Sequence, residues 1–237
     1  MIYSPDDVDQ IRDNFDFFDF GCKIGSSSYL CKEVLSGKKG LGIDINPEYV
    51  NAFARNGGDI MLGDITNLQL PNDIVDFCCI SHVLEHLPSI DHVNRAIEEA
   101  LRLSRNFVYI VGPYFDADIY LRDNNLKFFW SDWTWHPTPV KCEDIINSIK
   151  KSGIKCKTQL WGRILITESN SQDILPLSAP NNQHYYDPES HGPKNLISFD
   201  IPLFKEISAI IIKNQNFEMG TRIQRLKLHT LLKEFNL

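Results

Sequence analysis

Phe15-Asp16-Phe17-Phe18-Asp19-Phe20-Gly21-Cys22-Lys23-Ile24-Gly25 is the stretch from which the fold of this chain is read. Residues Phe15–Phe20 are apolar apart from their aspartates, which predicts a central parallel strand covered on both faces. Gly21 and Gly25 mark a turn, and Ser26, Ser27 and Ser28 offer N-caps to a helix reaching about Gly37. Glycine lets a backbone approach a ligand closely, and a helix start presents N–H groups and a positive dipole end to an anion. The stretch therefore reads either as a ligand cradle or as the structural turn that many α/β domains share.

A second strand, Gly40–Asp44, ends on an acid roughly twenty positions past the turn, where an α/β nucleotide site places a carboxylate for two ribose hydroxyls. Asn46, Pro47 and Glu48 supply cap, first-turn proline and first-turn acid for a helix to about Asn56. A third strand at Asp59–Leu62 leads into Gly63-Asp64-Ile65. A fourth at Ile74–Ser81 leads into His82-Val83-Leu84-Glu85-His86-Leu87. Ser89–Leu103 carries an apolar stripe (Val93, Ala96, Ile97, Ala100, Leu101) and a Glu98–Arg102 pair at helical spacing. A fifth strand follows at Asn106–Val111, a helix at Lys141–Ser152 stopped by Gly153, and a sixth strand from Lys155 to Trp161 or beyond. Glu206–Lys213 reads as the last strand, and the Thr221-x-x-Gln224 box opens a terminal helix to about Phe235.

Four of these segments, Asp19–Gly25, Gly42–Pro47, Gly63–Ile65 and Val75–Leu87, resemble in order the first four motifs of the class I S-adenosylmethionine-dependent methyltransferases, in particular the type 11 group. The resemblance is good over about Asp13–Pro113 and weak to Asn214. It implies an α/β, Rossmann-like three-layer sandwich whose seven-stranded, mostly parallel sheet has an antiparallel last strand. It also implies S-adenosylmethionine as cofactor. Gly21, Gly25, Ile45 and Ser81 would border it, with Asp19 near its amino group and Asp44 on the ribose. Asp64 would accept from the adenine amino group, with Ile65 against the base. Lys23 departs from the pattern, because the family usually has glycine there. Its side chain either swings toward the methionine carboxylate or obstructs the pocket.

A length of 237 residues with 43% hydrophobic residues suits one domain over 1–237, with insertions at about 113–139 and 168–205. The net charge of −7 argues against a broad nucleic-acid footprint, and Arg222, Arg225 and Lys227 read as a solvated helix face. No apolar run approaches the ~20 residues that span a bilayer, and no leader pattern opens the chain, so a cytoplasmic protein without a membrane partner is expected. Six scattered cysteines lack metal-ligand spacing and read as reduced thiols, with no metal expected.

The first insertion crowds Phe128, Phe129, Trp130, Trp133, Trp135 and His136 into nine positions. It would hang over the carboxyl ends of the strands, where open α/β sheets bind ligands, and form either an acceptor pocket or a satellite core. His82 and His136 are the candidate general bases, since imidazole titrates near neutrality. His86 reads as structural, and His184 and His191 could enter from the second insertion. The expected reaction is methyl transfer to a hydroxyl of a small-molecule or glycan-like acceptor. A scaffold that kept the fold and lost turnover is the alternative, supported by Lys23. An NAD-dependent oxidoreductase lacks its G-x-G-x-x-G at Gly21.

Overall fold

In the computed structural model, which describes residues 1–25 and 27–237, every side chain of β2 (Phe17–Phe20) is buried. The strand is central, pairing in parallel with β3 (Gly40–Asp44) on one side and β5 (Val75–Ser81) on the other. The parallel half continues from β3 to β4 (Ile60–Leu62) and β1 (Ile2–Tyr3), and from β5 to β6 (Ser104–Pro113). Beyond β6 lie β10 (Ser198–Ile212), β8 (Lys157–Glu168) and β11 (Thr230–Asn236), each antiparallel to its neighbour. The run β4-β3-β2-β5-β6-β10-β8 is the expected seven-stranded sheet with β10 as its antiparallel member. Strands β1 and β11 extend it to nine, one at each edge.

Alternation along the strands divides the core between two faces. Phe18 and Phe20 of β2, with Cys78 and Ile80 of β5, pack under α3 (Ile90–Leu103) and α5 (Cys142–Ser152). Phe17, Phe77 and Phe107 belong to the other face, where cross-strand register stacks them at 5.0 and 4.7 Å and Phe217 continues the stack at 5.1 Å. Ile11 of α1 (Val8–Asn14) joins the cluster of Phe18 and Phe20, while Val50 of α2 (Pro47–Arg55) packs with Cys22 and Ile60 in a small third cluster.

Three local expectations are corrected. The segment after the glycine turn is a short π-helical piece at Leu30–Val34 rather than a long helix to Gly37, and Ser26, one of its expected caps, lies outside the described residues. Arg102 pairs with Glu99 at 2.6 Å, not with Glu98, while also donating to the carbonyls of Leu68 and Leu70. The terminal helix α7 spans only Thr221–Arg225, and the left-handed φ of 51° at Lys227 ends it. The chain then pairs as β11 with β8, whose outer edge would otherwise leave its backbone groups unpaired. Arg222 and Arg225 donate to the carbonyls of Leu35 and Glu33 and so cap the piece at Leu30–Val34, while Arg225 and Lys227 stay exposed to solvent as the sequence predicts.

The two insertions fold against each other. The first carries α4 (Asp118–Asp123) and β7 (Leu126–Phe128), the second β9 (Ile174–Pro176) and α6 (Pro188–His191), and β7 pairs with β9.

Candidate active site

Parallel register sets Phe20 level with Ile43 and Ile80, and Ile43 with Met61, so Gly21, Asp44, Leu62 and Ser81 emerge together at the carboxyl edge. Gly21 has φ 63°, and a Cβ there would lie 2.6 Å from Val83 Cγ2, which brings the glycine turn against the loop after β5. Lys23 is also left-handed, at φ 53°. Its side chain is exposed, with the ammonium 5.9 Å from the Tyr49 ring centre, so it points out of the turn.

Asp44 joins the turn to β3. Its Oδ2 accepts from the Lys23 backbone N–H and its Oδ1 from that of Asn46, both at 2.9 Å. The Asn46 side chain caps α2 by accepting from Glu48 N–H at 2.8 Å, as the sequence predicts. A carboxylate has about four lone-pair sites, so Asp44 keeps acceptor capacity. Asp19 is buried, and Ser27 Oγ lies 2.6 and 2.7 Å from its two oxygens. Burial pushes its carboxyl up to about 6, opposed by the Ser27 hydrogen bond and reinforced by the Asp44 charge. Among the described residues no cation pairs with this carboxylate. Together with the glycine turn and the outward Lys23, it fits the amino end of an aminoacid-bearing nucleoside.

The remaining predicted cofactor residues are more loosely grouped. Gly63 N–H donates to the Asp44 carbonyl at 3.0 Å, which places the following loop alongside. There Asp64 is exposed and accepts from Thr66 N–H and Oγ at 2.9 and 2.8 Å, a turn-capping arrangement. Ile65 is seated in the core, Ile45 is exposed and Ser81 is half-buried.

Beyond β5 and β6 the aromatic insertion covers a cavity of about 210 Å³. Its lining includes His82, Glu85, Phe129, Trp133, His136 and Glu206. The aromatic run divides its labour. Phe128 and Trp130 stack at 4.4 Å as a small core, and Trp130 Nε1 donates to the Tyr114 carbonyl. Phe129 and Trp133 form the cavity wall, braced from the second insertion by Tyr185 and His184. Trp135 is exposed and outside it. His191 is occupied by the Asp187 N–H and the Gln183 side chain.

His82 has both ring nitrogens facing acids, Nε2 at 3.2 Å from Glu206 and Nδ1 at 3.6 Å from Glu85. Burial pulls its pKa down, but the hydrogen bonds to Glu206 and Glu85 outweigh this and raise it to about 9. Glu206 is held below its ordinary value, against burial, by His82 and by Arg163 at 2.8 Å. His136 is the opposite case. Burial lowers it, and its Nδ1 sits 3.1 Å from the Trp130 carbonyl, an acceptor that requires Nδ1–H and leaves Nε2 as the lone pair.

Glu206 is not evident from sequence, since 124 positions separate it from His82 and only the antiparallel return of β10 beside β6 brings it there. Glu85 had a signal, its place between Leu84 and His86, but as an acid within an apparently structural turn.

Residues 18–111 match the family model described as a methyltransferase domain. A SAM-dependent methyltransferase from Archaeoglobus fulgidus superposes with a TM-score of 0.55 at 19% identity, covering 89% of this chain and 92% of its own. One from Methanosarcina mazei gives 0.52 at 12%, with 90% and 99% covered, and YcgJ of Bacillus subtilis gives 0.55 at 12%, with 89% and 99%. At these identities the likeness is one of fold. None of the curated proteins compared with the sequence matches it.

Proposed function

Since the chain carries a class I S-adenosylmethionine-dependent methyltransferase domain, we propose that it methylates a hydroxyl of a small-molecule or glycan-like acceptor held in the aromatic cavity. One observation carries this reading. The cavity opens beside His82, the residue directly after β5, whose neighbour Val83 touches the glycine turn, so acceptor and cofactor sites share one wall.

Bound cofactor supplies an electrophilic methyl group on a sulfonium. Asp19 would meet its ammonium, Asp44 its ribose hydroxyls and Asp64 its adenine amino group, while Gly21, Gly25, Ile45 and Ser81 would border it and Ile65, seated in the core, would back the adenine loop from beneath. The outward Lys23 supports retained binding over the scaffold reading. Phe129 and Trp133 clamp a planar or sugar-like face and exclude water. Such orientation lowers a barrier by roughly 7–11 kcal/mol. Methyl transfer would form an O–C bond on the acceptor and break the cofactor's S–C bond, with the bonding pair going to sulfur and the hydroxyl proton to His136 Nε2.

Of the two candidate histidines, His136 activates the acceptor, because its Nε2 is unengaged while both nitrogens of His82 are committed to carboxylates. His82 positions Glu85 and Glu206. Among the described residues no helix is long and apolar enough to cross a membrane, and we place the reaction in the cytoplasm.

The test follows release of demethylated cofactor with a panel of hydroxylated acceptors. Turnover by the wild type that falls at least tenfold in Trp133→Ala, with cofactor affinity unchanged, supports the reading. Equal turnover by the variant removes the cavity from the reaction.

A further inference from the structure

Glu85, His86 and His136 converge at the cavity, with one donor atom of each within 4.8 Å of the other two. They come from two separate segments, the turn Leu84–His86 after β5 and the loop before Pro137. The two imidazole rings meet edge to face, 4.9 Å between centres.

The surroundings prepare these groups as ligands. His86 Nδ1 lies 2.6 Å from the Trp135 carbonyl and His136 Nδ1 3.1 Å from that of Trp130. A carbonyl only accepts, so each Nδ1 carries a proton and Nε2 is the atom left to act as a ligand. Backbone carbonyls fix the tautomer of metal-bound histidines in the same way. The second observation is Glu85 itself, whose side chain is 3% exposed. Its charged partner is His82, whose Nδ1 stands 3.6 Å from Oε1 while its Nε2 also faces Glu206 at 3.2 Å. That partner is long and shared, so the buried carboxylate keeps acceptor capacity for a second cation.

We propose that Glu85, His86 and His136 bind a zinc ion whose fourth position opens into the cavity. Two imidazoles and one carboxylate suit zinc, whereas magnesium and calcium favour all-oxygen sets. Three protein ligands with one open position is the arrangement of catalytic rather than structural zinc. Bonds of about 2.1 Å in a tetrahedron put donors about 3.4 Å apart, so loading draws the three groups inward from their present span. His82, Lys205 and Arg163 are the neighbouring cations and Glu206 the neighbouring anion; Arg163 engages Glu206, Lys205 engages Asp173, and His82 bridges Glu206 and Glu85, so the ion would share Glu85 with His82. Resting on the methyl-transfer reading, the open position would take the acceptor hydroxyl and make it more acidic; with its Nε2 on the ion His136 would serve as a ligand, and the hydroxyl proton would pass to solvent.

The test uses the full-length protein, stripped with a chelator and titrated with zinc by calorimetry and with cobalt(II) by visible absorption. The wild type should bind one zinc at micromolar affinity or tighter and show the intense cobalt bands of a tetrahedral site. His86→Ala, His136→Ala and the isosteric Glu85→Gln should each weaken zinc at least tenfold, while His229→Ala should not. Thermal unfolding of each variant separates loss of ligand from loss of fold, and Glu85→Gln keeps the test open should an alanine variant fail to fold. No stoichiometric zinc in the wild type, or undiminished zinc in folded Glu85→Gln and His86→Ala, overturns the site. S-adenosylmethionine titrated in parallel keeps the two readings apart. Cofactor binding without zinc overturns only the metal, and zinc without cofactor only the methyl-transfer reading.

Discussion

Asp19→Asn isolates the charge buried beneath the glycine turn. Burial carries this carboxyl from 3.8 to about 6, which costs the folded state about 3 kcal/mol once the group is ionised. Because the folded value is the higher one, the folded state favours the protonated form. The stability that this group contributes is complete below about pH 3.8 and is lost as pH rises through about 6. Asparagine stays neutral and keeps an oxygen for the Ser27 hydroxyl 2.6 Å away. Urea unfolding of wild type and variant between pH 4 and 7.5, taken as a difference, cancels the other carboxylates. The variant should gain little near pH 4 and up to about 3 kcal/mol at pH 7.5. The same substitution should weaken S-adenosylmethionine at pH 7.5, because it removes the carboxylate that we propose meets the ammonium. A stability difference that is flat in pH, or a variant less stable at pH 7.5, refutes the assigned burial cost.

Gly21→Ala should destabilise by about 1–3 kcal/mol, since its Cβ would lie 2.6 Å from Val83 in a left-handed backbone; in a double-mutant cycle Val83→Ala should recover the steric part, and strict additivity would show that the turn and the loop after β5 do not touch. Deleting Thr230–Leu237 should lower the unfolding midpoint by exposing the outer edge of β8; an unchanged midpoint would mean that β11 adds no stability. Phe129→Ala should raise the acceptor KM without changing cofactor affinity, measured by initial rates and calorimetry, and a change confined to cofactor affinity would move the cavity to the cofactor's side.

Strands β2 to β6 were legible as short apolar runs, with β2, β3 and β4 each running into a glycine or an acid, whereas β1 is only two residues long and carries no such signal. The antiparallel half was harder. β11 alternates Leu231, Leu232, Lys233, Glu234 and Phe235 too weakly to compete with the Thr221 capping box, and only the open edge of β8 decides it. On the cofactor side, the glycines and the acids at strand ends are local signals, and the structure joins Lys23 to Asp44 by a hydrogen bond. On the acceptor side, local reading found the aromatics and the histidines. It missed Glu206 and the use of Glu85, because what those acids do depends on a contact across 124 positions and on burial that no spacing reports.

The most direct measurement is calorimetric titration of the purified protein with S-adenosylmethionine and with its demethylated product, against NAD as control, in wild type and Asp44→Ala. One-to-one micromolar binding of the first two, no binding of NAD, and at least a tenfold loss in Asp44→Ala are the predicted results. No binding of either nucleoside, or binding that Asp44→Ala leaves unchanged, would contradict a cofactor cradle built on the turn from Asp19 to Gly25.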